Sequence, residues 1–345
     1  MHSSLKIHPA VKVWLFTGII MIYFQVVIGG ITRLTGSGLS ITKWDIVTGS
    51  IPPLKEDQWQ QAFELYKQTP QYQKINQGME LSRFKWIYFW EYVHRLWARS
   101  MGFVFLIPFL IFWLKGYLKD RGLKTDLFIV FLLAGIVGLF GWIMVASGLV
   151  DRPWVNAYKL SLHLGLALLT LSFLWWVYLK HLNMDALPLS RQGRIWSGIF
   201  LILVSLQILL GGLMSGMKAA LLYPTFPLMR GHLVDPIIFR ADSWQWKHFV
   251  DYDVYPFLPA LVQVFHRSLA MVILVVLIVA LARMKDRSLL VIGTLLSVQI
   301  VLGILTLIYS IGMIPVVYGV LHQAVGILLL LAAVRWYYGH RRSVD

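Results

Sequence analysis

Four of the ten histidines in this chain stand inside long apolar stretches: His94, His163, His266 and His322. The other six, His2, His8, His181, His232, His248 and His340, fall in loops or tails. An ionisable side chain inside a bilayer is costly and marks a functional site by default. The four occupy the second, fourth, sixth and eighth apolar stretches, each near the start of its stretch. Imidazole is a common metal ligand, and four at matched depth divide into two pairs of axial ligands. The usual iron centre gripped by two helical imidazoles is haem. Zinc fits less well, because its structural sites want four ligands and its catalytic sites three with a supporting shell. The plainer alternative is four buried imidazoles, each bonded to a neighbour; it suits a single membrane histidine better than repeated pairs.

The sharpest local motif is Glu91-Tyr-Val-His94-Arg95. Positions i and i+3 share a helix face, which puts a carboxylate one turn from an imidazole. Two roles stand open for Glu91. It could be an acid/base or charge-stabilising group beside a haem ligated by His94, or it could pair with Arg95 at i+4 near the surface. The second half reads Gln263-Val-Phe-His266-Arg267, with an amide where the first half has the acid. That asymmetry predicts one reactive half and one passive half. Arg33, Arg95 and Arg267 lie near the ends of apolar stretches and are candidates for haem propionates through charge-assisted bonds; interfacial anchoring competes for each. Gly29, Gly30, Gly211 and Gly212 would let helices or a macrocycle approach closely, and helix packing is the stronger of those readings. Gln25 and Gln207 are expected to bond across helices.

The elements that must position these residues are membrane helices. Of 345 residues, 58% are hydrophobic and 14% charged, and the mean hydropathy is +0.69. Apolar runs of about 18 residues or more span a bilayer. Eight are expected, at about 12–31, 87–114, 126–147, 158–180, 195–214, 259–282, 288–309 and 315–338. The first is too long for a signal peptide and is followed by Arg33 and Leu34, not by small residues. The net charge of +15 does not point to nucleic acid. Its most biased segments are short loops on one side: Lys115, Lys119, Arg121 and Lys124; Lys180, Arg191 and Arg194; Arg283, Lys285 and Arg287. This is the positive-inside pattern, with both termini cytoplasmic. The chain has no cysteine, which excludes disulfides, thiolate metal sites and thioether-linked haem. The absence of a long Arg/Ser-rich leader favours a bacterial inner membrane.

The chain also carries a weak internal duplication. Gln25-Val-Val-Ile-Gly29-Gly30 matches Gln207-Ile-Leu-Leu-Gly211-Gly212, and His94-Arg95 matches His266-Arg267. Leu139-Phe-Gly141 parallels Val301-Leu-Gly303, and Leu162-His163 parallels Leu321-His322. The expected fold is therefore an all-α integral membrane protein of two four-helix bundles, residues 1–190 and 191–345, related by a pseudo-twofold axis along the membrane normal. Long outer connections at about 32–86 and 215–258 are expected to cap the bundles. Within the first, Gln58–Tyr72 is expected to form an interfacial helix with Trp59, Phe63 and Tyr66 on one side.

These features resemble the haem A synthase family over nearly the whole chain. The motifs are Gly29-Gly-Ile-Thr-Arg-Leu-Thr-Gly-Ser-Gly-Leu-Ser40, Trp44, Gly49-Ser-Ile-Pro-Pro53, Glu91-Tyr-Val-His94-Arg and Gly141-Trp-Ile-Met-Val-Ala-Ser-Gly-Leu149. Tyr158-Lys-Leu-Ser-Leu-His163, Phe226-Pro-Leu-Met229, Phe265-His266-Arg267 and Leu321-His322-Gln continue the series. The resemblance implies that His94 and His163 take haem O as substrate, with Glu91 beside them, and that His266 and His322 hold a haem b cofactor. It implies oxidation of a ring methyl of haem O to a formyl group by successive hydroxylations to a gem-diol, then loss of water. The implied partners are a haem O synthase, cytochrome oxidase assembly factors, an electron partner and membrane lipid. Many members carry a cysteine pair in an outer loop, so this chain is similar to the cysteine-free, proteobacterial and mitochondrial branch. Its Gly212-Leu-Met-Ser-Gly216 is looser than the family pattern. The competing function is a dihaem b-type electron carrier, which would place haems at inner and outer levels. A transporter would want polar groups at the midplane or broken helices.

Overall fold

The computed structural model describes residues 7–42, 51–148, 152–182 and 191–341. Trp44, Gly49, Leu149 and the expected boundary at residue 190 lie outside the described residues. Eight of the described helices are long and apolar enough to cross a membrane. They are α1 (Pro9–Leu34), α4 (Leu81–Leu114), α5 (Arg121–Gly148), α6 (Ala157–His181), α7 (Arg191–Gly216), α9 (Phe257–Arg283), α10 (Ser288–Ile308) and α11 (Val316–Arg341). Among the described residues three short α-helices lie between them, α2 (Glu56–Lys67), α3 (Pro70–Lys74) and α8 (Trp246–Val250), together with 3-10 turns at Ala219–Leu221, Pro236–Phe239 and Ala241–Ser243. Several spans begin earlier than the apolar runs indicate. α4 starts at Leu81 and not near 87, and α5 at Arg121 and not near 126, because backbone hydrogen bonding continues through polar residues beyond the apolar stretch. His94 consequently lies well inside α4 and not near its first turn.

The chain divides into two compact units, Met1–His181 and Leu182–Asp345. In the first, α1 packs on α4 and α6, and α6 packs on α5. The buried face of α1 carries Val11, Trp14, Leu15, Gly18, Ile19, Ile22, Val26 and Gly30 at helical spacing. Gly18 lies beneath the Phe105 ring, where a Cβ would approach within 2.3 Å of its ring tip. In the second unit, α7 packs on α9 and α11, and α11 on α10. Large apolar side chains point outward, among them Phe103 at 66% and Phe128 at 68% exposed. Apolar surfaces of this kind on spanning helices face lipid.

The expected helix at Gln58–Tyr72 is two helices. α2 ends at Lys67, and α3 starts afresh with Pro70 at its first position and the Thr69 hydroxyl accepting from the Tyr72 amide. Trp59, Phe63 and Tyr66 do share one side, and that side is not left for lipid. It packs on the first turns of α4 against Phe84, Ile87 and Tyr88. The Phe63 and Phe84 rings stack at 5.0 Å. Gln71 then donates to the Gly36 carbonyl at 3.0 Å, tying this cap to the turn after α1.

At the far end of the second unit, Asp286 in the α9–α10 turn accepts from Trp336 Nε1 at 2.8 Å and from His340 Nε2 at 3.1 Å, both on α11. Its other oxygen accepts from the Ser288 amide at 2.9 Å and from the Ser288 hydroxyl. Burial raises the Asp286 carboxyl, but the donors from Ser288, His340 and Trp336 outweigh it and hold the group below its ordinary value.

Candidate functional site

Each of the four membrane histidines docks on a glycine of a neighbouring helix in its own unit. A Cβ at Gly29 of α1 would stand 3.1 Å from His94 Nε2, and one at Gly141 of α5 would stand 3.0 Å from His163 Cε1. In the second unit a Cβ at Gly211 of α7 would lie 3.5 Å from His266 Cε1, and at Gly303 of α10 it would lie 2.9 Å from His322 Cε1. The glycines thus make room for imidazoles. For Gly29 and Gly211 the helix-packing reading is thereby sharpened, and for Gly141 and Gly303 the role was not foreseen.

The His266 and His322 rings lie 6.4 Å apart between centroids, inclined at 67°. An imidazole nitrogen sits about 2 Å from a metal it ligates, which separates two opposed ring centres by on the order of 6 Å. The spacing suits one metal between them. His94 on α4 and His163 on α6 stand on the two helices that pack against α1. Among the described residues no cluster of three or more His, Cys, Asp or Glu could hold a bare metal ion. A two-ligand group that brings its own equatorial donors, as haem does, fits this donor set.

Tautomers support the same fit. His322 Nδ1 lies 3.0 Å from the Gln299 carbonyl. A carbonyl only accepts, so Nδ1 carries the proton and Nε2 keeps its lone pair. The Gln299 amide nitrogen lies 3.3 Å from that Nε2. In the first unit the Gln25 amide nitrogen lies 2.9 Å from His94 Nε2 and 3.2 Å from the His94 carbonyl. Gln207 donates to the His266 carbonyl at 2.9 Å. The side-chain oxygens of Gln25, Gln207, Gln263 and Gln299 are buried without a hydrogen-bond partner. Such orphans are costly in a filled core and are expected where a bound group completes the interior. Gln299 was missed in the sequence, although Gln299-Ile-Val-Leu-Gly303 repeats the Gln-x-x-x-Gly spacing of Gln25 and Gly29 and of Gln207 and Gly211.

Glu91 is 3% exposed. Its Oε2 accepts from the Ser40 amide and hydroxyl, each at 2.7 Å, and from the Ile41 amide at 2.9 Å. Its Oε1 accepts from Arg95 Nε at 3.0 Å and Nη2 at 2.5 Å. The i+4 ion pair is therefore present, and the carboxylate also pins the segment that follows α1. Arg95, a propionate candidate, is directed to Glu91 and to the Ile41 carbonyl at 3.2 Å. Arg33 sits half-buried in the last turn of α1.

In the second unit the same position is Gln263, fully buried, whose amide donates to the Tyr223 carbonyl at 3.2 Å. Arg267, the third propionate candidate, donates to the carbonyls of Tyr223, Thr225 and Pro227 at 3.3, 2.7 and 3.1 Å. Both units thus pin a connecting segment from the helix that carries the first histidine. The first unit does so with the Glu91 acceptor together with an Arg95 donor, and the second with the donors of Gln263 and Arg267. Burial, with the Asp235 carboxylate beside it, pushes the Tyr223 hydroxyl in that segment up to about 12.

Residues 12–334 match the model of a family described as cytochrome oxidase assembly proteins. The chain is 40% identical to a haem A synthase of Nitrosospira multiformis, over 97% of this chain and 94% of the relative. It is 38% identical to a haem A synthase of Sinorhizobium fredii, over 94% and 89%. A third, from Azorhizobium caulinodans, is 40% identical over 94% and 92%.

Proposed function

Because this chain belongs to the family of cytochrome oxidase assembly proteins, we propose that it oxidises a ring methyl of haem O to a formyl group and so makes haem A. It is an oxidoreductase of haem biosynthesis and a multi-pass protein of the bacterial inner membrane. The observation that carries the reading is the state of His94 and His322. Each presents an unprotonated Nε2 from a spanning helix, seated against a glycine of the next helix. Only that nitrogen state can bind iron.

In this reading His94 and His163 hold haem O, whose isoprenoid tail is solvated by the apolar helices and the surrounding lipid. The methyl carbon is hydroxylated twice, each step taking its oxygen from water and releasing two electrons to an electron partner and two protons to solvent, and the resulting gem-diol loses water to leave the formyl group. Glu91 holds a fixed negative charge one turn from His94. Five hydrogen bonds orient it before the reaction starts, so it stabilises positive charge developing on the substrate without reorganisation. Arg95, Ser40 and Ile41 act through it and are positioning residues. His266 and His322 hold haem b, which supplies one-electron transfer when bound. Arg33, Arg95 and Arg267 are the propionate candidates, and Arg95 and Arg267 also bond protein acceptors. A haem O synthase supplies the substrate, and cytochrome oxidase assembly factors receive the product. In this reading both termini face the cytoplasm, in keeping with the positive-inside bias, and the N-terminal halves of the four histidine helices face the periplasm.

The deciding experiment is extraction and chromatography of haems from cells making this chain together with a haem O source. Haem A appearing only when the chain is present is the expected result. Unchanged haem O alongside b-type spectra would establish the dihaem electron carrier instead.

A further inference from the structure

We propose that Gln25 competes with iron for His94 and thereby keeps the substrate site exchangeable; this rests on the assignment of haem O to His94 and His163 above. The Gln25 amide nitrogen faces the His94 carbonyl at 3.2 Å, which an oxygen would not do, so it is the NH2 group. The same NH2 group lies 2.9 Å from His94 Nε2, which must therefore accept. An imidazole nitrogen has one lone pair in the ring plane. The amide and an iron atom cannot use it together.

The swap is local. When His94 turns to iron, the Gln25 amide retains the His94 carbonyl, and its orphaned oxygen is free to find a donor on the incoming group. When the product leaves, the amide takes the lone pair back, so the emptied site is not left with an unsatisfied buried nitrogen. The second unit is built differently at the matching place. The Gln207 side-chain amide donates to the His266 carbonyl, a bond that does not engage His266 Nε2. Gln299 faces His322 Nε2 at the longer distance of 3.3 Å, while the ring is pinned at Nδ1 by the Gln299 carbonyl. A ligand that must come and go meets the closer competitor, and one that stays meets the weaker.

The test is a spectroscopic titration of the full-length protein, purified from cells lacking haem O, with ferric haem O. Gln25→Leu, which keeps bulk but cannot donate, should bind haem O about fivefold more tightly, the factor carried by a hydrogen bond of ordinary net strength. Gln25→Asn, with its amide one methylene short, should move the same way. Gln207→Leu should leave the haem O affinity unchanged. Equal or weaker binding in both Gln25 variants, with the parent's thermal melt retained, would overturn the competition. A parent chain that takes up no haem O would instead sink the assignment of the site, and this inference with it.

Discussion

Glu91 shows how far a single residue can be read from spacing. The i+3 relation to His94 and the i+4 relation to Arg95 are both visible in the sequence, and the ion pair is present. The three donors from Ser40 and Ile41 are not visible, because they come from a segment some fifty residues earlier that only the fold brings to α4. Two variants separate its roles. Glu91→Gln removes the charge and should abolish product formation while haem remains bound, as read by haem extraction and absorbance; unchanged turnover would remove Glu91 from the chemistry. Ser40→Ala removes one bond to a buried charged acceptor and should cost roughly 1.5–3 kcal/mol of stability. The glycines give a second contrast. Gly303→Ala would push a Cβ to 2.9 Å from His322 Cε1, whereas Gly211→Ala meets His266 at an ordinary 3.5 Å. Haem content per chain, measured as the pyridine adduct, should fall for Gly303→Ala and hold for Gly211→Ala.

Among the elements, the eight spans were legible because about twenty apolar residues in a row have few other solutions. Their ends were not, since a helix continues wherever its backbone bonds are made and an apolar count stops at the first polar residues. The cap between α1 and α4 was half legible. Trp59, Phe63 and Tyr66 announce one apolar face, but a face alone does not reveal its partner, and the partner is α4 and not the lipid surface. Phe63→Ala should cost about 3 kcal/mol by the usual penalty for a buried aromatic. It should also expose α2 to limited proteolysis while the spanning helices stay protected. A digestion pattern identical to that of the parent would mean that the α2–α4 contact is dispensable.

At the scale of the whole molecule, the chain divides into two compact units, Met1–His181 and Leu182–Asp345. The second unit is closed at its far end by Asp286, Trp336 and His340, with Gly193 so close that a Cβ there would lie 2.4 Å from His340 Nδ1. Asp286 sits below its ordinary value of 3.8, so its contribution is fully present above that pH and is lost as the pH falls through the lowered folded value. Asp286→Asn should therefore lower the melting temperature at neutral pH. The difference from the parent should shrink once both are melted in strong acid; a gap that persists unchanged there would assign the effect to packing and not to charge.

The eight spanning helices could be chosen from the sequence alone, and His94, His163, His266 and His322 stand out within them, because the bilayer makes a buried imidazole conspicuous in an apolar run. Long-range pairing could not. That Gln299 faces His322, that Arg267 holds the 223–227 segment and that Ser40 closes on Glu91 depend on which helices become neighbours. Local periodicity carries no record of that, and only tertiary packing decides it.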